Sequence, residues 1–251
     1  ALAAGVIDAR ATTAGDALDG ADLVVLAAPA TDCLSLLDAL GGPLRARLAP
    51  GVVVTDVAST KAVLVQRASA LGLRFVGGHP MAGRETAGFG AADGDLFRGR
   101  PWVVVPATGA DDEAVSRVEA LARACGAVPL RMDAVAHDAA VAGVSHMPLV
   151  LSAALVEAVA GSGSRERGDW PAAAALAATG WAGMTRLARG DAAMGAGIAA
   201  TNAPAIVARL RDVREAIDAW LAVLEADGGP DEAAIAARLA AARDRLTAGV
   251  D

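Results

Sequence analysis

Val52–Val76 reads V-V-V-T-D-V-A-S-T-K-A-V-L-V-Q-R-A-S-A-L-G-L-R-F-V. The β-branched run Val52–Thr55 predicts a strand, Ala62–Leu71 carries a helical pattern, and Arg74–Val76 predicts a second strand. The same alternation continues on both sides. Upstream, Leu23–Ala28 (L-V-V-L-A-A) is an apolar run ended by Pro29, followed by a helical pattern through Cys33, Leu36, Leu37 and Leu40. Downstream, Trp102–Val105 and Ala127–Met132 predict strands. Between them Asp111 and Asp112 open a helix whose apolar face is Val115, Val118, Leu121, Ala122 and Cys125, ended by Gly126. Strands flanked by helices predict an α/β fold with a doubly wound, mostly parallel sheet.

From Asp133 onward no strand is predicted. Ala-rich helices follow one another, separated by Gly161–Asp169 and Asp227–Pro230, so the boundary falls near Arg131–Asp133. This divides the chain into a sheet domain, 1–132, and an all-α domain, 133–251. One helix sets Ile206, Leu210, Val213, Ile217, Trp220 and Leu224 at spacings of four and three. Such a seam must bury against another helix. Both an intrachain core and a subunit interface meet that need.

The chain has 251 residues, 55% of them hydrophobic, enough for one large or two ordinary domains. Its longest apolar stretch, 147–161, is broken by Ser152 and Glu157 and falls short of the ~18–20 residues of a membrane span. No membrane segment is expected. The two cysteines, Cys33 and Cys125, lie far apart without metal-type spacing, which predicts buried free thiols, no metal site and a reducing, cytoplasmic setting. A net charge of −7 and the lack of a basic run argue against a nucleic-acid surface. An anionic small-molecule substrate would need its own arginine. Of the 22 basic residues only Lys61, inside T-D-V-A-S-T-K, is a lysine.

In an open parallel sheet the ligand crevice lies beyond the carboxyl ends of the strands. Three strand ends here carry unusual residues: A-A-P-A, T-D-V-A-S-T-K and G-G-H-P-M-A-G. Gly77 and Gly78 are expected to turn the backbone and admit a flat ligand, and Pro80 to end regular structure. His79 would then face the crevice. A single histidine after a strand is more often structural; Ser59 at a neighbouring strand end turns the balance toward catalysis.

The string Arg74–Pro106, R-F-V-G-G-H-P-M-A-G-R-E-T-A-G-F-G-A-A-D-G-D-L-F-R-G-R-P-W-V-V-V-P, resembles the prephenate/arogenate dehydrogenase family of tyrosine biosynthesis. T-D-V-A-S-T-K, H-D-A-A-V-A-G-V-S-H-M-P (His137–Pro148) and M-T-R-L-A (Met184–Ala188) resemble further motifs of that family, in the same order. The resemblance implies a Rossmann-like nucleotide domain, a helical substrate domain that dimerises, and NAD or NADP as cofactor. It implies oxidative decarboxylation of prephenate to 4-hydroxyphenylpyruvate, or of arogenate to tyrosine. By the same resemblance, His79 takes the C4 hydroxyl proton as hydride leaves. Ser59 orients that hydroxyl and the nicotinamide, and Arg186 binds a substrate carboxylate. His146 is a second substrate-side histidine, with a helix-terminal structural role as its alternative. His137 is read as structural or domain-bridging, and Lys61 as serving a helix start and the field of the crevice.

Two departures from the family pattern stand out. No G-x-G-x-x-G occurs between a strand and a helix. A-L-A-A-G-V-I-D resembles the helix after that fingerprint, so the first strand–helix–strand unit is expected to be missing and Leu23–Ala28 to form an open edge. The remaining cofactor contacts would be Ala28, Pro29, Ala58 and Ser59. Gly195, in M-G-A-G-I, stands where many relatives carry tryptophan, which leaves prephenate and arogenate both open. The rival readings are a non-catalytic dimeric fragment or degenerate relative, and another two-domain hydroxy-acid dehydrogenase.

Overall fold

The computed structural model describes residues 1–83, 88–108, 110–162, 165–166 and 168–248; segment 84–87, within the Arg74–Pro106 string, lies outside them. The chain divides into two compact units, Ala1–Ile206 and Val207–Asp251.

The first unit begins with a 3-10 turn at Leu2–Ala4 and a short helix, α1 (Ala14–Ala17). The helix expected over A-L-A-A-G-V-I-D does not form. Gly5 takes a left-handed conformation (φ 66) that stops the turn, and Leu2, Val6 and Ile7 are exposed with no surface to bury against. Five strands then lie side by side in chain order: β1 (Leu23–Leu26), β2 (Val53–Asp56), β3 (Phe75–Pro80), β4 (Pro101–Pro106) and β5 (Val128–Arg131). They are joined by α2 (Ala30–Gly41), α3 (Ala62–Ala70) and α4 (Asp112–Ala124), and the described part of the β3–β4 connection includes a 3-10 turn at Phe89–Ala91. The pairs β1–β2, β2–β3 and β4–β5 are parallel, and β3–β4 is antiparallel. Among the described residues β1 is an edge, with Val25 exposed.

The period of two along each strand distributes the core over both faces. Val54 and Phe75 pack with Leu37 of α2 and Leu64 of α3, whereas their neighbours Val53 and Val76 pack with Val115, Val118 and Ala122 of α4. Helices therefore cover both faces, as a doubly wound sheet requires. The α4 start follows its sequence signal: Asp111 accepts a hydrogen bond from Ala114 N, and Gly126 beyond the helix has φ 76.

β3 corrects one expectation. The strand runs straight through Gly77, Gly78, His79 and Pro80, paired antiparallel with β4, where a turn was expected. The glycines serve close packing. A Cβ on Gly78 would stand 2.5 Å from the Asp56 carbonyl oxygen and 2.9 Å from Trp102 Nε1, and one on Gly77 would meet Lys61 Cδ at 3.1 Å. Pro80 is tolerated because it sits at the strand's last position.

After β5, α5 (Ala134–Val141), a π-helical turn (Ala142–His146) and α6 (Met147–Ala160) form one helical run. Pro148 explains the π turn: it has no N–H to bond back to Val144, and its ring would crowd that carbonyl. The run of 27 residues, Ala134–Ala160, is long and apolar enough by length and composition to cross a membrane, longer than the stretch expected from the sequence. Its buried polar groups, His137, Asp138, His146 and Ser152, are bonded within the unit. A two-stranded pair, β6 (Gly161–Ser162) and β7 (Arg165–Glu166), interrupts the helices and was not expected. There follow α7 (Trp170–Ala175), α8 (Thr179–Met184), a 3-10 turn (Leu187–Arg189), α9 (Ala192–Thr201), α10 (Ala203–Leu224) and α11 (Glu232–Thr247).

The seam on α10 is only partly covered. Ile206 is buried, Leu210, Val213 and Trp220 are half-buried, and Ile217 and Leu224 are 51% and 49% exposed. Within the second unit, Arg238 of α11 lies 4.4 Å over the Trp220 ring and donates to the carbonyls of Ala216 and Ala219. Of the thiols, Cys33 is buried, Cys125 is half-buried, and both are free.

Candidate active site

β2 ends at Asp56, and the loop Val57–Lys61 carries the chain to α3. Asp56 and Lys61 are wholly buried and form an ion pair through Asp56 Oδ2 and Lys61 Nζ. Asp56 also accepts from Ala58 N (3.0 Å) and Gly78 N (3.1 Å). Burial pushes the Asp56 carboxyl up and the Lys61 ammonium down, and each opposes the shift of the other. The pair locks the β2 end to β3 just before His79.

α3 starts without a side-chain cap of its own. Asp138, from α5, supplies one: its Oδ1 accepts from Lys61 N and its Oδ2 from Ala62 N, both at 2.8 Å. The same Oδ1 lies 2.8 Å from His137 Nδ1, and His137 Nε2 lies 2.8 Å from His79 Nδ1. The two imidazoles meet edge to face, with centroids 5.0 Å apart. A continuous chain thus runs from α3 through Asp138 and His137 to His79.

His79 is 8% exposed. Burial above all, and then the proximity of Lys61, His137 and His146, which disfavours adding a positive charge, hold its pKa far below the ordinary 6.5. It is therefore a neutral base at physiological pH, and its own titration does not fall near neutrality as a bare histidine's would. His79 Nε2 has no hydrogen-bond partner among the described residues.

His146 sits in the π turn, 1% exposed, and burial lowers its pKa to about 4. Asn202, at the end of α9, fixes its tautomer. The Asn202 amide nitrogen donates to the Asp138 carbonyl (2.8 Å), which can only accept, so the contact of that nitrogen with His146 Nδ1 (3.0 Å) makes Nδ1 an acceptor. His146 Nε2 then carries the proton, and it is a buried donor without a partner among the described residues. Such a group costs ~1–3 kcal/mol when left unmade. An acceptor on a ligand would relieve it.

The structure connects His79 and His146 through His137, Asp138 and Asn202. It does not hydrogen-bond Ser59 to His79: Ser59 is half-buried in the loop after β2, with no side-chain hydrogen bond to another described residue. Ala58 is buried beside it, and Ala28 and Pro29 are half-buried beyond the adjacent end of β1. α2 begins after Pro29, its N-cap residue, with no side-chain cap on its first N–H groups. Small residues and an uncapped helix start at two neighbouring strand ends fit the flat ring and amide acceptors of a nicotinamide nucleotide. Thr60 Oγ1 and Thr201 Oγ1, 2.9 Å apart, tie this loop to α9. Arg186 is exposed, just ahead of the 3-10 turn after α8.

Sequence reasoning missed Asp138 and Asn202 and read His137 as structural or domain-bridging. The H-D doublet at a helix opening was a signal for the first and third. Asn202, in T-N-A-P, gave only a turn signal.

Residues 1–130 match the nucleotide-binding domain of prephenate dehydrogenase, and residues 133–235 its dimerization domain. The chain belongs to the prephenate dehydrogenase family. The prephenate dehydrogenase of Bacillus subtilis is 31% identical over 221 residues, which cover 87% of this chain and 58% of that protein. The chain thus spans less than two thirds of that relative's length. The solved arogenate dehydrogenase of Synechocystis is 30% identical, with a TM-score of 0.73 over 92% of this chain and 81% of that one. A prephenate dehydrogenase from A. aeolicus, solved with hydroxyphenyl propionate and NAD+, superposes with a TM-score of 0.83 over 98% and 83% of the two chains. At 23% identity that likeness speaks for the fold.

Proposed function

We propose that this family member serves an NAD(P)-dependent oxidative decarboxylation of prephenate or arogenate, with His79 as proton acceptor. The observation that carries the reading is a neutral, buried imidazole at the end of β3. Its Nδ1 is tied to His137, its Nε2 has no partner among the described residues, and a second buried histidine, His146, is near enough to act on it electrostatically. The nicotinamide, when bound, accepts hydride from C4 of the substrate. As that hydride leaves, the C4 hydroxyl becomes acidic and its proton passes to His79 Nε2. The His146 Nε2–H suits an oxygen acceptor on the substrate, and Arg186 suits a carboxylate, which a guanidinium holds without protonating. Ala28, Pro29, Ala58 and Ser59 would border the nicotinamide. Ser59, whose side chain has no hydrogen bond among the described residues, is available to the hydroxyl or to the carboxamide.

The division into a nucleotide-binding part, 1–132, and a helical substrate part, 133–251, belongs to the same proposal, as does assembly as a homodimer. The half-exposed Ile217 and Leu224 favour a subunit interface for the α10 seam.

Turnover tests the reading. Prephenate and arogenate are each supplied with NAD or NADP to the whole encoded protein, and reduced nicotinamide and CO2 are followed together. His79→Asn should lower kcat by roughly 10²–10⁴ with KM little changed. An unchanged kcat would remove His79 from the chemistry.

A further inference from the structure

The contacts of Asp138 determine where the protons of two histidines lie. Asp138 Oδ1 accepts from Lys61 N, and its Oδ2 from Ala62 N. Backbone amides only donate, so this carboxylate is an acceptor throughout, and the His137 nitrogen facing it at 2.8 Å, Nδ1, carries a proton. With that one proton on the ring, the lone pair of His137 is on Nε2. That lone pair lies 2.8 Å from His79 Nδ1, and the contact is filled only if His79 carries its proton there. Nε2 of His79 is left bare, as a base must be.

We propose that His137 and Asp138 are a positioning pair that sets the tautomer of His79, keeping Nε2 free for the substrate proton and directing the charge that arrives there toward a carboxylate. The proposal rests on the reading of His79 as the proton acceptor and explains how that residue can act. His79 is surrounded by groups that oppose a positive charge on it: Lys61 at the β2–α3 loop, His146 at the π turn and the apolar wall of the strand. In the step itself the substrate O–H bond breaks and an N–H bond forms at His79 Nε2, while the C4–H electron pair leaves as hydride. The Nδ1–H of His79 stays bonded to His137 Nε2, and His137 Nδ1–H stays bonded to Asp138. The new cation therefore donates along a line of polarised bonds that ends on a negative charge. The geometry also crosses between the two regions matched to the family, since His79 lies within 1–130 and His137 and Asp138 within 133–235. The base is set correctly only when α5 is seated on β3 and α3.

The chain contains only three histidines, so 15N-histidine labelling with long-range 1H–15N correlation resolves every imidazole tautomer. Single His→Gln variants assign the signals. We expect His79 and His137 both protonated at Nδ1 and bare at Nε2 near pH 8. His137→Leu, which offers no acceptor, should release His79 to a mixture of tautomers and lower kcat on the order of 10²-fold with KM nearly unchanged. His137→Gln, whose amide oxygen can accept from Nδ1–H, should restore the His79 tautomer and most of the rate. Detecting the proton on His79 Nε2 in the unaltered protein, or a doubly protonated His137 facing a bare His79 Nδ1, would overturn the proposal. So would a His137→Leu protein with unchanged His79 signals and kcat. A His79→Asn protein of full activity would instead defeat the reading of His79 as the acceptor, whatever the tautomers prove to be.

Discussion

Replacing Lys61 by methionine removes one partner from a wholly buried ion pair while nearly preserving its volume. Asp56 would keep its two backbone donors, Ala58 N and Gly78 N, but lose the ammonium that opposes the cost of its burial. Breaking such a pair from one side costs about 3–5 kcal/mol, most of it the uncompensated charge left behind. The loss should depend on pH in a definite direction. Without Lys61 the folded-state pKa of Asp56 rises further above its unfolded value near 3.8. A carboxyl whose folded pKa is raised is stabilised below its unfolded pKa, and that contribution is lost as pH climbs through the folded one. The variant should therefore be closest to the parent in mild acid and fall furthest behind above neutrality. Urea unfolding at pH 5 and pH 8, followed by tryptophan fluorescence with Trp102 buried in the sheet, measures both differences. The companion variant Lys61→Met with Asp56→Asn, which removes the charge as well, should recover much of the deficit and most of its pH dependence. A single variant as stable as the parent at pH 8, or one hurt more at pH 5, would refute the assignment of a buried charge pair.

Gly78→Ala should destabilise by about 1–3 kcal/mol or more in the same assay, because the added methyl meets the backbone oxygen of Asp56 at 2.5 Å; Gly88→Ala, with open space at its Cβ but φ 91, separates backbone strain from collision. His146, with a folded pKa of about 4 against an unfolded 6.5, takes up its proton less readily when folded, so stability should rise with pH across that window by up to about 1.4 kcal/mol per unit, and His146→Gln should flatten the slope. If Arg186 binds a carboxylate of the proposed substrate, Arg186→Ala should raise its KM by roughly 10–100-fold, corresponding to about 1.5–3 kcal/mol of charged hydrogen bonding, with a smaller effect on kcat in steady-state assays. Ile217→Asp should weaken self-association, seen as loss of the dimer in sedimentation equilibrium at unchanged helicity, if α10 meets its copy; a dimer of undiminished strength would return the seam to the chain's own interior.

The elements of the sheet were legible because their causes are local. Runs such as Val52–Thr55 and the helix start at Asp111 carry their own periodicity and capping chemistry, and each formed within a residue or two of its expected bounds. The G-G-H-P stretch misled for the opposite reason. Glycine permits both a turn and a close approach, and only the position of Asp56, Lys61 and Trp102 around β3 decides between them. The same limit applies to the site. His79 could be singled out from a strand end and a proline, but the groups that govern its proton lie 58 and 59 positions further along, on a helix whose placement no local pattern records. Asp138 caps α3 across 76 and 77 positions, so the α3 start had no cap signal to read beside it. One carboxylate thereby has two duties, satisfying a helix terminus and setting a histidine. The consequence is physical: whatever moves α5 away from α3 uncaps the helix and frees the His79 tautomer together. Seating of α5 against α3 and β3 and readiness of the proposed base are one event.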